Sequence, residues 1–442
     1  MEHKEFNYRN LEDLKKECER LGVRLNFSTN MKLFERKVNI NGLVTPNSIA
    51  FHPMEGCDGT KEGSPAELTM RRYQRFAKGG PGLIWVEAVA AVREGRANPK
   101  QLWIHKENIE EFKKLHKTII SSAQEEFGQN FRPVTIVQLT HSGRFSKPNN
   151  DFEPIIAHQD PYINARYKNE NIAHIITDEE LEQLEDQFVE AALLVKEAGF
   201  DGVDIKACHR YLSSELLSAF DRQGKYGGSF EGRTRFIINT IDKVKKAVGE
   251  DFIIASRMNI YDGIQYPYGW GVDKDNPLIA DFTEPKKLIS MLYDRGVRLL
   301  NLTMGTPYYN PHVNRPYDKG GYVPPEHPLE GISRLMNGIG TMQKEFSNMV
   351  IVGTGFSYLR EFSANLGAGV LENSQATLIG YGRAAFAYPD LVKDILIKGQ
   401  MDRRKCCITC GKCSEIMRVN GTTGCVIKDA KIYGPIYREY IG

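Results

Sequence analysis

No stretch of this chain approaches the roughly 18 consecutive apolar residues needed to span a bilayer, and the amino terminus, MEHKEFNYRN, lacks the apolar core of a secretory signal. These absences predict a soluble, cytoplasmic protein. An excess of charge of either sign is also missing, because 58 Lys and Arg against 56 Asp and Glu give a formal net charge of +2. Interspersed acids and bases leave no electrostatic footprint for nucleic acid or an anionic membrane, so the expected partner is a small molecule. Eight cysteines are present, but not in the even spread of a disulfide framework. Cys18, Cys57 and Cys208 are scattered, whereas Cys406, Cys407, Cys410, Cys413 and Cys425 crowd together near the carboxyl terminus. A reducing compartment and a terminal metal-binding module follow from that distribution.

What is present from Ser48 onward is a rhythm of short β-rich apolar runs alternating with longer amphipathic segments. Candidate strands lie at 49–54, 83–89, 134–139, 202–205, 252–257, 298–304, 349–353 and 376–380. Helical patterns fall between them, at about 66–78, 106–125, 178–198, 231–247, 284–295, 330–346, 357–367 and 389–398. Eight strand-then-helix units predict an α/β fold, a (β/α)8 TIM barrel. A doubly wound sheet would carry a Gly-rich turn after its first strand, and that position reads HPMEGCDG. Residues 1–41 are expected to form an N-terminal extension with a helix over LEDLKKECERLG, residues 42–398 the barrel, and residues 399–442 a separate Cys-rich segment. Long loops at 142–176, 258–280 and 305–328 would emerge on the carboxyl face and build a pocket.

The strand ends carry an ordered set of polar residues. They are HPM after strand one, QLTHSGR at 138–144, GFDGVDIKACHRYL at 199–212, YGGSFEGRTRF at 226–236, Arg257, VGTGF at 352–356 and IGYGR at 379–383. From Gly42 to Lys398 this set resembles the Old Yellow Enzyme family of flavin mononucleotide (FMN) barrels. The resemblance implies that Gln138 and Arg257 contact the flavin ring, that Gly355, Gly382 and Arg383 bind its phosphate, and that Pro53, Met54 and Ala88 line its edge. It also implies Tyr211 as proton donor and His209 as the residue holding a substrate carbonyl oxygen. Lys206 departs from the family pattern, which has His or Tyr there, and Glu55 stands where relatives often place Cys or Thr. Lys206 reads either as an anchor for an enolate or carboxylate or as the ion-pair partner of Glu55 or Glu87. Cys208 reads as a small packing residue, since adjacent side chains diverge. Tyr266, Tyr268, Trp270, Tyr308 and Tyr309 read either as a pocket wall or as loop anchors.

Cys407, Cys410 and Cys413 are spaced C-x2-C-x2-C, and Cys425 follows after eleven intervening residues. Three thiolates in one tight loop with a distant fourth suit a [4Fe–4S] cluster, whereas structural zinc more often takes two separated C-x-x-C pairs. Cys406 is the ambiguous neighbour. The segment is similar to that of the family's iron–sulfur branch, which includes 2,4-dienoyl-CoA reductase, enoate reductase and trimethylamine dehydrogenase. Those relatives continue into dinucleotide-binding domains not seen here, so electrons are expected from a separate donor protein, or from NAD(P)H docking directly on the flavin. The expected activity is ene reduction, with hydride transfer to an activated C=C bond of an unsaturated carbonyl or carboxylate. The alternatives are an amine dehydrogenase of the trimethylamine dehydrogenase type and a non-catalytic FMN and iron–sulfur electron carrier. Lys206 weighs against a cationic amine, because like charges ~4 Å apart repel by about 4 kcal/mol at an effective dielectric near 20.

Overall fold

The computed structural model of the chain describes residues 5–167, 173–318 and 320–442. Eight parallel strands close into a barrel: β1 (Ile49–Phe51), β2 (Leu83–Ala90), β3 (Val134–Thr140), β4 (Gly202–Ile205), β5 (Ile253–Tyr261), β6 (Leu299–Met304), β7 (Val350–Gly353) and β8 (Leu378–Tyr381). Ile379, Gly380 and Tyr381 of β8 pair with Ile49, Ala50 and Phe51 of β1 to complete the ring. The strands read as mostly apolar runs because each is covered on both faces, by the barrel interior on one side and by helices on the other.

The helices of the outer ring are α1 (Glu67–Gly79), α2 (Ile109–Phe127), α3 (Asp178–Glu197), α4 (Phe230–Val248), α5 (Thr283–Asp294), α6 (Pro328–Glu345), α7 (Ser363–Glu372) and α8 (Leu391–Lys398). Their starts are set locally. Thr177 and Glu180 form a reciprocal capping box at the head of α3, and the Ser229 hydroxyl accepts the Gly232 N–H at the head of α4. The TIM barrel expected from the sequence is therefore present, unit for unit.

Inside the ring, Leu83, Trp85, Ile136, Ala255, Leu299 and Val352 pack into one apolar cluster. Val38 and Ile40 join that cluster from an antiparallel hairpin, Val38–Ile40 with Leu43–Thr45, which plugs the amino end of the barrel. The N-terminal helix Leu11–Leu21 forms as its spacing predicts, stops at Gly22 in the left-handed region (φ 67°), and buries Leu14 and Cys18 in the outer apolar layer. The expected loops also leave the carboxyl ends, except that β5 continues to Tyr261, so the second loop begins later than 258. Met304 pairs with Tyr261 across a bulge, which extends the strand past the point where its apolar pattern ends. No helix among the described residues is long and apolar enough to cross a membrane.

Candidate active site

The carboxyl ends of the strands open on one cavity, and the residues expected there from β1, β3, β4, β5, β7 and β8 converge on it. Pro53, Met54, Gln138, Lys206, His209, Tyr211, Arg257, Gly355, Gly382 and Arg383 all line it. Ala88 does not. A register shift between Val86 and Ala88 sets Ala88 opposite Gln138 in the sheet, where it is fully buried. The same shift frees Glu87 to take the buried Arg72 guanidinium, which also pairs with Asp58.

With Glu87 engaged, Lys206 pairs with the other carboxylate. Its Nζ lies 3.3 Å from Glu55 Oε1, with the two side chains only 3% and 13% exposed. The same Glu55 oxygen is 3.4 Å from the Tyr211 hydroxyl, which is in turn 3.0 Å from the Tyr308 hydroxyl. Lys206 Nζ also stands over the Tyr211 ring, 3.8 Å from its centroid. Burial, followed by the Glu55 charge and Tyr308, pushes the Tyr211 phenol well above its ordinary range. Tyr308 belongs to the wall of the cavity, held by a stack on Phe145 with ring centroids 3.6 Å apart. The other loop aromatics are anchors: Trp270 is buried and donates to the Asn259 carbonyl, while Tyr268 and Tyr309 pack around Tyr162.

His209 and Arg210 both have left-handed backbone (φ 65° and 61°), which is strained for side chains of this size. Arg210 is locked by Asp160 and Asp262, both fully buried, and that clamp fixes the turn that presents His209. Asn314 Nδ2 lies 3.2 Å from His209 Nε2. An amide nitrogen only donates, so Nε2 accepts and the ring proton belongs on Nδ1. Burial, with the Arg257 and Lys206 charges, holds the imidazole well below its ordinary pKa. His209 is thus a neutral hydrogen-bond donor. Cys208 beside it is fully buried, as a packing residue would be, and burial pushes its thiol up to about 11.

Beneath the cavity, Asp204 organises the barrel end by accepting from Gln138 Nε2 (2.6 Å), Trp85 Nε1 (3.0 Å) and the Arg257 backbone N–H (2.7 Å). Burial pushes Asp204 up to about 6. The residues present suit a flavin phosphate ester. Arg257 lines the cavity with its Nε buried and without a hydrogen-bond partner, and a polar ring edge would satisfy it. Among the described residues Arg383 and Arg315 have no carboxylate partner, and Arg315 is pushed down to about 10 by burial and by the Arg383 charge, which a dianion would relieve. Gly355 sits at φ 100°, and a Cβ there would meet Leu335 at 2.6 Å, which keeps a bare backbone facing the cavity. Arg315 and Asn314 were not legible in the sequence, because the short helix Pro311–Asn314 lies in a loop without periodicity.

The Cys-rich segment docks beside this site. Cys407, Cys410, Cys413 and Cys425 line one small cavity with Arg383, and Cys413 and Arg383 also line the larger one. Backbone N–H groups of Thr409 and Lys428 donate to the sulfurs of Cys407 (3.4 Å) and Cys425 (3.3 Å). Cys406 differs, since it is buried and donates its own S–H to the Asp402 carbonyl. Among the described residues, no three His, Cys, Asp or Glu side chains are arranged to hold a metal ion.

A closed parallel barrel whose cavity gathers glycines and guanidinium groups at one end and His209 with Tyr211 on its wall has the make-up of a flavin-dependent oxidoreductase. The NADH:flavin oxidoreductase / NADH oxidase family model matches residues 38–287, and the chain belongs to that family. The NADH oxidase of Thermoanaerobacter brockii is 26% identical over 413 residues, covering 90% of this chain and 56% of that protein. The N,N-dimethylglycine/sarcosine dehydrogenase of Chromohalobacter salexigens is 25% identical over 412 residues, covering 92% of this chain and 54% of that protein. The chain thus spans little more than half the length of these two relatives. A 2-naphthoyl-CoA reductase in complex with 2-naphthoyl-CoA shares the fold with a TM-score of 0.73 at 18% identity, over 93% of this chain and 58% of that one.

Proposed function

We propose that this chain is an FMN-dependent ene-reductase, acting on a C=C bond conjugated to a carbonyl or carboxylate. The observation that carries the reading is the pairing of a neutral His209 donor with the Tyr211 hydroxyl on one wall of the cavity. Gln138 and Arg257 would hold the flavin ring, and Gly355, Gly382, Arg383 and Arg315 its phosphate. Bound FMN supplies hydride transfer and the interconversion of one- and two-electron chemistry. His209 Nδ1–H would hold the substrate oxygen as negative charge develops on it, with Lys206 contributing to the field. Tyr211 would hold the proton destined for the α-carbon, and the Phe145–Tyr308 stack closes the site on that side.

In the same reading, residues 399–442 form a cluster-binding module in which Cys407, Cys410, Cys413 and Cys425 hold a [4Fe–4S] cluster. Burial raises the Cys407 and Cys425 thiols and the N–H···S bonds there offset part of that, while a cubane spreads its ligands over four irons instead of one point. Cys413 lines both cavities, which supports a path for single electrons from a separate donor protein to the flavin.

One observation favours a second reading, amine dehydrogenation. Glu55 neutralises Lys206, which removes the repulsion of a cationic amine, and a curated relative is named for dimethylglycine and sarcosine. Anaerobic photoreduction followed by mixing with enones, enoates and imines separates the readings by which class reoxidises the flavin. A flavin reoxidised only by one-electron acceptors would mark an electron carrier.

A further inference from the structure

Tyr211 as a lone acid leaves an electrostatic difficulty. Once its proton is gone, a phenolate stands 3.4 Å from the Glu55 carboxylate, in a cavity wall that also holds Tyr308. Lys206, 3.8 Å from the ring centroid, offsets part of that repulsion, but three charges then crowd a site from which water is mostly excluded. Glu55 Oε1 offers another course, because it faces both the Tyr211 hydroxyl and, at 3.3 Å, the Lys206 ammonium.

We propose that the proton given to the substrate is supplied by Lys206 and passes through the Glu55 carboxyl and the Tyr211 hydroxyl, with Glu55 a positioning and relay residue for the reaction. The inference rests on the C=C reading above. After hydride addition at the β-carbon the substrate is an enolate. The Tyr211 O–H bond breaks as the α-carbon C–H bond forms, the Tyr211 oxygen takes a proton from Glu55, and Glu55 takes one from Lys206. The enolate charge and the ammonium charge disappear together. Glu55 is again a carboxylate, Tyr211 is again a phenol, and neutral Lys206 is reloaded from water. Three buried charges are replaced by one. The two bonds to Glu55 are long in the absence of substrate, as catalytic contacts often are before the reacting complex tightens them.

The two mechanisms predict opposite signs for one substitution. If Tyr211 acts alone, Glu55→Gln leaves the Lys206 ammonium unopposed over the ring, makes the phenol a stronger acid and speeds protonation. In the relay the same change breaks the path and slows it. The test uses photoreduced, FMN-loaded enzyme mixed with cyclohexenone and other neutral enones, with flavin reoxidation followed by stopped flow. Glu55→Gln and Lys206→Met should each slow reoxidation by roughly 100-fold or more. The dependence on deuterium fraction should be curved for the parent protein, where several protons are in flight, and linear for both variants. Unchanged FMN affinity checks that the site is intact, and ultraviolet titration of flavin-free protein should show Tyr211 ionising more easily in Glu55→Gln. Reoxidation as fast as the parent's, or faster, in Glu55→Gln overturns the relay. So does a Lys206→Met loss confined to carboxylate-bearing substrates, which would make Lys206 an anchor. If none of the enones reoxidises the parent protein, the C=C reading fails first, and the relay with it.

Discussion

Arg315 makes the most demanding prediction about the cofactor site, because one substitution should move two measurements in different directions. In the flavin-free chain its guanidinium is crowded by Arg383 and, among the described residues, donates to the Ser414 hydroxyl at 2.5 Å. Its fall to about 10 corresponds to roughly 3 kcal/mol at 1.36 kcal/mol per tenfold change in acidity. Arg315→Met keeps an unbranched stem and deletes the charge, relieving that cost while giving up a charged hydrogen bond of about 1.5–3 kcal/mol. The flavin-free protein should therefore be as stable as the parent or up to about 1.5 kcal/mol more stable in urea unfolding. FMN should bind more weakly by about 1.5–3 kcal/mol, which is roughly 10- to 150-fold in Kd by fluorescence quenching. Riboflavin, which has no phosphate, is the internal control, and its affinity should hardly change. Equal weakening of FMN and riboflavin, or a flavin-free protein that loses stability, would refute the assignment of Arg315 to the phosphate.

Three further outcomes follow from the site. Tyr211→Phe should leave flavin reduction intact and slow its reoxidation by an enone roughly 10²- to 10⁴-fold, measured by stopped flow. Cys410→Ser should abolish acid-labile sulfide, expected near four per chain in anaerobic preparations of the parent, while FMN stays bound; one zinc without sulfide would replace the cluster. Burial raises Asp204 to about 6 in the folded chain, above the unfolded value near 3.9, so between these values the folded state holds a proton that the unfolded state has released. The stability owed to this group is complete below about pH 4 and falls by about 3 kcal/mol as pH rises to 6. Asp204→Asn should flatten that part of the urea-unfolding profile.

The barrel was legible because a strand covered on both faces is mostly apolar, so each of the eight runs announced itself without any pairing information. That Lys206, His209 and Tyr211 share one cavity wall was legible for a different reason. Lys206, His209 and Tyr211 lie within six consecutive residues at the end of β4, so local sequence held their spacing. Residues whose place depends on distant pairing were not. The bulge that sets Ala88 into the sheet and turns Glu87 to Arg72 leaves no trace in LIWVEAV. Asn314 and Arg315 reach the site through a loop whose conformation is decided by tertiary contacts, such as the Asn314 bonds to Thr303 Oγ1 and the Met304 carbonyl. Lys206 had two readings because a sequence shows a charge without its partner, and only the fold brings Glu55 to it.

The docking of the Cys-rich segment bears on anyone trimming this protein to a minimal catalyst. Thr423 donates its backbone N–H to the Gly56 carbonyl at 2.6 Å, and the Thr422 hydroxyl reaches the Cys57 carbonyl at 3.3 Å. Those two carbonyls belong to the residues immediately after Glu55. A chain cut after Lys398 would lose the main-chain clamp that aims Glu55 at Lys206 and Tyr211, along with the cysteines. A flavin barrel engineered without this segment would need a substitute brace for the loop after β1, independent of how its electrons are supplied.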